Sequence, residues 1–206
     1  MKVLTILTNG FEEIEAIGTI ALLKRAGLTV DIASLHETSA TGRYEVNVSN
    51  LKNIKEVDYR DYDLIFIPGG PQYVELSSNE KVLEIIKFAA ENRYLAGICA
   101  APTIFGKFGL LKNKNYTCFT SMNEDFGGTY INTYAVRDGN IITGISAAGT
   151  IDFAFLIIET LLGKEHANKI KNSIYYWFFV SYIGLRRKVN GFISIQKCYS
   201  FKSSSY

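Results

Sequence analysis

The chain has 206 residues, 48% of them hydrophobic, enough to bury one substantial core as a single α/β domain. Three cysteines without paired spacing (Cys99, Cys118 and Cys198) argue against a disulfide framework or a zinc site, and two histidines, His36 and His166, leave little for a metal centre. The formal charge of +2 hides an asymmetry. All seven charged residues after Glu165 are basic, which leaves 15 basic against 20 acidic residues, a net of −5, in residues 1–165. That body offers no electrostatic case for binding nucleic acid.

In chain order, Lys2–Thr8 is an apolar run of strand length that is too short for a signal peptide, and a reducing cytoplasm is the expected compartment. Phe11–Ala26 has helical spacing through Ile14, Ile17, Ile20, Leu22 and Leu23, and Gly27 stops it. Leu28–Ser34 and Asp63–Pro68 read as strands. Asn79–Tyr94 reads as a helix with Val82, Ile85, Ile86 and Ala89 on one face and an N-cap at Ser78 or Asn79. Leu95–Cys99 is the next strand and Ala101–Leu111 the helix that follows it. Asn115–Thr120, Thr129–Arg137 and Asn140–Ile145 read as strands, the last two joined by Asp138-Gly139, a strong hairpin signal. Thr150–Leu162 is an apolar helix ended by Gly163. Strands alternating with helices imply a doubly wound, flavodoxin-like parallel sheet with helices on both faces. The expected order is 2-1-3-4-5, with a small antiparallel ribbon from Thr129 to Ile145.

The stretch that bears most directly on function is Tyr94–Thr103, an apolar run that breaks at Gly97-Ile98-Cys99 into Ala100-Ala101-Pro102. A strand carried into a small-residue turn and then a helix lifts one side chain off the strand end and faces it with backbone N–H groups. Such a setting favours a thiolate and supplies donors for a developing oxyanion. Cys99 is the candidate nucleophile, while Cys118, mid-strand, reads as core. The segments Thr8–Glu15, Pro68–Gly70 and Cys99–Ala100 all fall at the carboxyl ends of strands, where sites of such sheets lie. Glu12 and Glu13 read as carboxylates that favour a helix start. Glu15, flanked by Ile14 and Ala16, points elsewhere and reads as a partly desolvated carboxyl able to share a proton with sulfur.

These residues resemble those of the ThiJ/PfpI (DJ-one) superfamily. The match runs through N-G-F-E-E-I-E-A after the first strand, I-P-G-G after the third, A-G-I-C-A-A-P at the elbow, D-G-N-I-I-T-G and A-A-G-T-x-x-F-A-F, over about residues 1–170. The resemblance implies the class I glutamine-amidotransferase-like, flavodoxin-type fold and a homodimer, which the apolar excess of Ile14, Ile17 and Ile20 also suggests. It makes Cys99 the nucleophilic or redox cysteine and Glu15 its partner carboxylate. Gly70 and Ala100 would form the oxyanion-hole-like cradle through their N–H groups, with Gly69 and Arg43 as further substrate-binding positions. Arg43 stands where some members bring an arginine towards the cysteine from the partner subunit's edge.

Two departures restrict the chemistry. The histidine that protease-like members carry directly after the cysteine is Ala100 here, which removes a peptidase's general base. The region where other members supply a histidine reads Tyr116-Thr117-Cys118-Phe119-Thr120. A Cys–Glu pair remains, expected as Cys99 thiolate with protonated Glu15. It suits a cofactor-independent glyoxalase- or deglycase-like enzyme acting on small reactive carbonyls in a stress response. The alternative is a cysteine-based redox sensor or chaperone-like stress protein without turnover. Residues 177–206 stand apart from the family-like 1–176: aromatic, apolar and basic, with a serine-rich end and an apolar run of about a dozen residues against the roughly 18–20 that span a bilayer. An abrupt switch in composition favours a non-homologous terminus over a docking segment or an interfacial membrane contact.

Overall fold

The structure is a computed structural model that describes residues 1–176; the expectations for residues 177–206 lie outside the described residues. Strand β1 (Lys2–Leu7) leads through a loop into one wide π turn, Ile14–Gly18, continuous with helix α1 (Thr19–Arg25). Then come β2 (Thr29–Ser34), a short hairpin of β3 (Ser39–Thr41) and β4 (Asn47–Ser49), and β5 (Lys52–Asn53). Strand β6 (Leu64–Ile67) is followed by α2 (Tyr73–Leu76), α3 (Glu80–Asn92), β7 (Tyr94–Ile98) and α4 (Ala101–Lys107). The two-residue strands β8 (Asn115–Tyr116) and β9 (Thr129–Tyr130) pair with each other. The hairpin β10 (Ala135–Asp138) and β11 (Ile141–Gly144) precedes α5 (Thr150–Leu162) and α6 (Lys164–Ser173).

Seven strands form one sheet in the order β10-β11-β7-β6-β1-β2-β5. All neighbours are parallel except β10, which runs antiparallel to β11 at the edge. The central strands β1, β6 and β7 are buried on both faces, so their sequences are continuous apolar runs rather than alternations. Residues Val82, Ile85, Ile86 and Ala89 of α3 pack on one face together with Ile104 and Phe105 of α4. On the other face, Ile20 and Leu23 of α1 share a core with Phe153, Ile157 and Ile158 of α5. Each of these side chains larger than alanine contributes on the order of 1.5–3 kcal/mol by its withdrawal from water. Among the described residues, no helix is long and apolar enough to cross a membrane.

The expected strand order holds for the first four strands, and the fifth place differs in its occupant. It is filled by β11, the inner strand of the ribbon, while Asn115–Thr120 is a strand only at Asn115–Tyr116 and lies off the main sheet. There the Thr117 amide turns to the Thr143 hydroxyl at 2.9 Å and the Phe119 amide to the Cys99 carbonyl at 2.8 Å, so neither is free for a ladder. Thr129–Arg137 likewise breaks after Tyr130. Gly139, at φ +61, makes the expected hairpin turn, and Asn79 caps α3 by accepting from the Val82 N–H at 3.1 Å.

Candidate active site

The first helix begins with Glu12, whose amide donates to the Gly69 carbonyl at 3.1 Å, and whose Oε2 accepts from the Glu15 N–H at 2.8 Å. Glu13 Oε1 accepts from the Tyr44 N–H at 2.6 Å. Both side chains are buried; Glu12 supports the helix start, as its position in the sequence suggests, and Glu13 fastens the β3–β4 turn. These contacts fix the path of the π turn that carries Glu15. Wide turns of this kind are concentrated at functional sites.

Glu15 is 1% exposed. Its Oε2 accepts from the Gly69 N–H at 3.0 Å, and its Oε1 has no regular hydrogen-bond partner among the described residues. Burial is the largest influence on the carboxyl and pushes it up to about 7, against opposing pulls from Cys99, Gly69 and the Ala147 amide. Cys99 stands directly across Gly69. A Cβ built on that glycine would lie 2.5 Å from Glu15 Oε2 and 2.6 Å from Cys99 Cβ, so only glycine leaves the two groups room to meet.

Cys99 follows β7 with φ +64, in the left-handed region that a residue with a Cβ rarely takes. Its N–H donates to the Gly144 carbonyl at 2.9 Å and its carbonyl accepts from the Phe119 N–H, which ties the elbow to β11 and to the segment after β8. The amides of Ala100 and Gly70 act on the sulfur as donors and favour the thiolate. Burial outweighs them, joined by the charge and hydrogen bonding of Glu15, and the thiol is pushed up. The expected resting state, Cys99 thiolate with protonated Glu15, thus meets opposed influences: the two amides favour the thiolate, while burial and Glu15 push the thiol up.

Of the residues singled out in the sequence, Glu15, Gly69, Gly70, Cys99 and Ala100 therefore come together. The Gly69 N–H is engaged by Glu15, so the donors that face sulfur are those of Gly70 and Ala100. Arg43 is not brought in by its side chain. Its N–H donates to the Phe11 carbonyl at 2.8 Å, but the guanidinium is exposed, 5.5 Å from the Tyr44 ring centre, and makes no ion pair among the described residues. His36 contacts Glu75 and His166 contacts the Ala26 carbonyl at 2.9 Å; neither serves the thiol. Sequence reasoning passed over Ala147, whose amide acts on Glu15, and Phe119, tethered through its backbone to Cys99. The A-A-G-T segment was the signal for the first; nothing in the periodicity marked the second.

A profile of the DJ-1/PfpI family matches residues 1–160, and the chain belongs to that family. The Arabidopsis thaliana Protein DJ-1 homolog B is 34% identical over 171 residues; the match takes in 80% of this chain, which spans only 39% of that relative's length. Deglycase PfpI of Pyrococcus furiosus is 32% identical, over 69% of this chain and 89% of its own. The glutathione-independent glyoxalase DJR-1.2 of Caenorhabditis elegans is 31% identical, over 77% of this chain and 87% of its own. Among solved structures, Drosophila melanogaster DJ-1beta superposes with a TM-score of 0.80 at 27% identity, covering 86% of this chain and 98% of that one.

Proposed function

We infer that the protein converts small reactive carbonyls without a cofactor, in the manner of a glyoxalase or deglycase, with Cys99 as nucleophile and Glu15 as proton carrier. The observation that carries this reading is the placement of the two groups across Gly69, with the Gly70 and Ala100 amides on the sulfur. Relatives named as a deglycase and as a glyoxalase support the substrate class. With methylglyoxal, the Cys99 sulfur adds to the aldehyde carbon as ionised Glu15 accepts the thiol proton. The Gly70 and Ala100 amides hold the resulting oxygen. Glu15 returns its proton to that oxygen to give the hemithioacetal; ionised again, it carries the proton of that carbon to the neighbouring one while the hydroxyl proton passes to the ketone oxygen, leaving a thioester of lactate. Water releases lactate and restores the thiol. A carboxyl near 7 is matched to both halves of this proton transfer. Ala100 and the segment Tyr116–Thr120 stand where the resemblance would place a histidine, so turnover is slow and peptide hydrolysis has no general base.

Incubation with methylglyoxal yields lactate with the parent chain and none above background with Cys99→Ser. Lactate formation that survives the substitution removes the enzymatic reading. A second reading uses the same pair: oxidation of Cys99 to sulfinate held by protonated Glu15, as in a redox sensor. Mass gain of two oxygens on Cys99 under mild peroxide, with no lactate formed, selects it.

The working unit in this reading is a homodimer. Ile14 and Ile17 leave the π turn 59% and 39% exposed, and Ile151 at the start of α5 is also exposed. Apolar side chains grouped beside a site suit a partner surface. Sedimentation equilibrium at micromolar concentration returns twice the chain mass; a single chain mass rejects the dimer.

A further inference from the structure

Five buried side-chain oxygens have no hydrogen-bond partner among the described residues, and four of them lie on one face of the sheet: Glu15 Oε1 and the hydroxyls of Thr5, Thr19 and Thr150. Each of these four residues is at most 2% exposed. Thr19 follows Glu15 by four positions, one turn along the same helix face. Thr150 opens α5 three residues after Ala147, whose amide acts on Glu15, and a Cβ on Gly18 would come 3.1 Å from Thr150 Cγ2, so the two helix starts touch there. Thr5 is paired with Phe66 across parallel strands and therefore faces the same side, where Phe66 meets Phe153 of α5 at 5.6 Å between ring centres.

A polar oxygen left without a partner in an apolar core costs on the order of 1–3 kcal/mol, and one such loss is tolerable where four in one layer are not. Water bound between helix and sheet satisfies groups of this kind, since a buried water takes two to four polar partners. We propose that Thr19 and Thr150 are positioning residues for Glu15, joined to its Oε1 through bound water in a buried polar seam that Thr5 lines from the sheet. The inference rests on Glu15 being the partner of Cys99. It gives that acid a source of hydrogen bonds beyond Gly69, the Ala147 amide and the thiol, and donors on this side favour the ionised form that takes the Cys99 proton. The titratable groups that face Glu15 are Cys99 at the end of β7 and Glu12 on its own helix. From α5, the acidic residue of the first turn, Asp152, is occupied by the Tyr176 hydroxyl at 2.6 Å.

The test is the rate of iodoacetamide alkylation from pH 5 to 9, followed by mass spectrometry of the Cys99 peptide, on the full-length parent chain and on Thr19→Val, Thr150→Val and the corresponding Ser variants. The parent shows a step near pH 7. The Val variants, equal in shape but without a hydroxyl, move that step upward by about one pH unit, the size of one hydrogen bond lost to a charged group. The Ser variants keep it in place. Where a Val variant does not fold, the Ala variant takes its place in the same measurement. A step that the Val or Ala variants leave unmoved, or that Ser moves equally, overturns the inference. A parent chain with no step near pH 7 overturns the Glu15–Cys99 reading itself, and the inference with it.

Discussion

Glu15→Gln leaves the chain about 3 kcal/mol more stable than its parent at pH 8 and no more stable at pH 4. The cause is a buried carboxyl that the fold keeps neutral, at about 7 against an ordinary 4.5. Below pH 4.5 both folded and unfolded chains hold the proton and nothing is lost. Between 4.5 and 7 the unfolded chain releases its proton first, so the folded state binds more protons and stability falls as pH rises. Above 7 the loss is complete, at about 1.4 kcal/mol for each unit of difference. Gln copies the neutral carboxyl, keeps an oxygen for the Gly69 N–H and does not titrate. Urea unfolding at pH 4, 6 and 8 measures the gap, and a gap that is constant with pH rejects the buried neutral carboxyl.

Gly70→Ala lowers the melting temperature by about 10 °C and removes Cys99 reactivity with it. The residue sits at φ +91, and an added Cβ would come 2.4 Å from the Gly10 carbonyl oxygen and 2.5 Å from the Glu12 nitrogen. Both atoms are backbone and cannot swing aside. Both belong to the loop that feeds the π turn, so relief of the clash displaces Glu15. Strain and overlap together cost about 4 kcal/mol or more, which in a domain of this size corresponds to that shift in melting temperature. Gly163→Ala is the control, with φ +86 and ψ 159 but nothing within 4 Å of the new Cβ; it carries the backbone strain alone and costs about 1–3 kcal/mol. Equal losses in the two variants would show that close approach of the loop is not what Gly70 permits. Differential scanning calorimetry separates the cases.

Where burial imposed a pattern, the fold was legible in the sequence. The apolar runs of β1, β6 and β7, the face of α3 and the turn at Gly139 all declare themselves, because each is a local answer to where water is. The β3–β4 hairpin did not. It is held by contacts remote in the chain, with the Gly10 N–H donating to Thr41, the Arg43 N–H to Phe11 and the Tyr44 N–H to Glu13. No periodicity records such bonds. The same holds for the elbow: Cys99 and Glu15 could be named from their neighbours and from resemblance, whereas the state of the thiol depended on how completely the site is closed. A helix start read in isolation suggests a thiolate, whereas desolvation, a property of the assembled layers, pulls the other way.

Among the described residues, five other than glycine adopt positive φ, and four of them (Glu45, Asn50, Asn113 and Tyr175) lie on exposed stretches where a turn is all that is asked of the chain. The fifth is Cys99, largely enclosed and pinned by bonds to Gly144 and Phe119. At that point the fold by itself would choose glycine, which removes about 1–2 kcal/mol of strain and the burden of enclosing a sulfur. In a protein stable by only about 5–15 kcal/mol such a penalty is a sizeable fraction of the whole, and it is what this chain spends to stand a sulfur, rather than a bare backbone, at the turn out of the sheet.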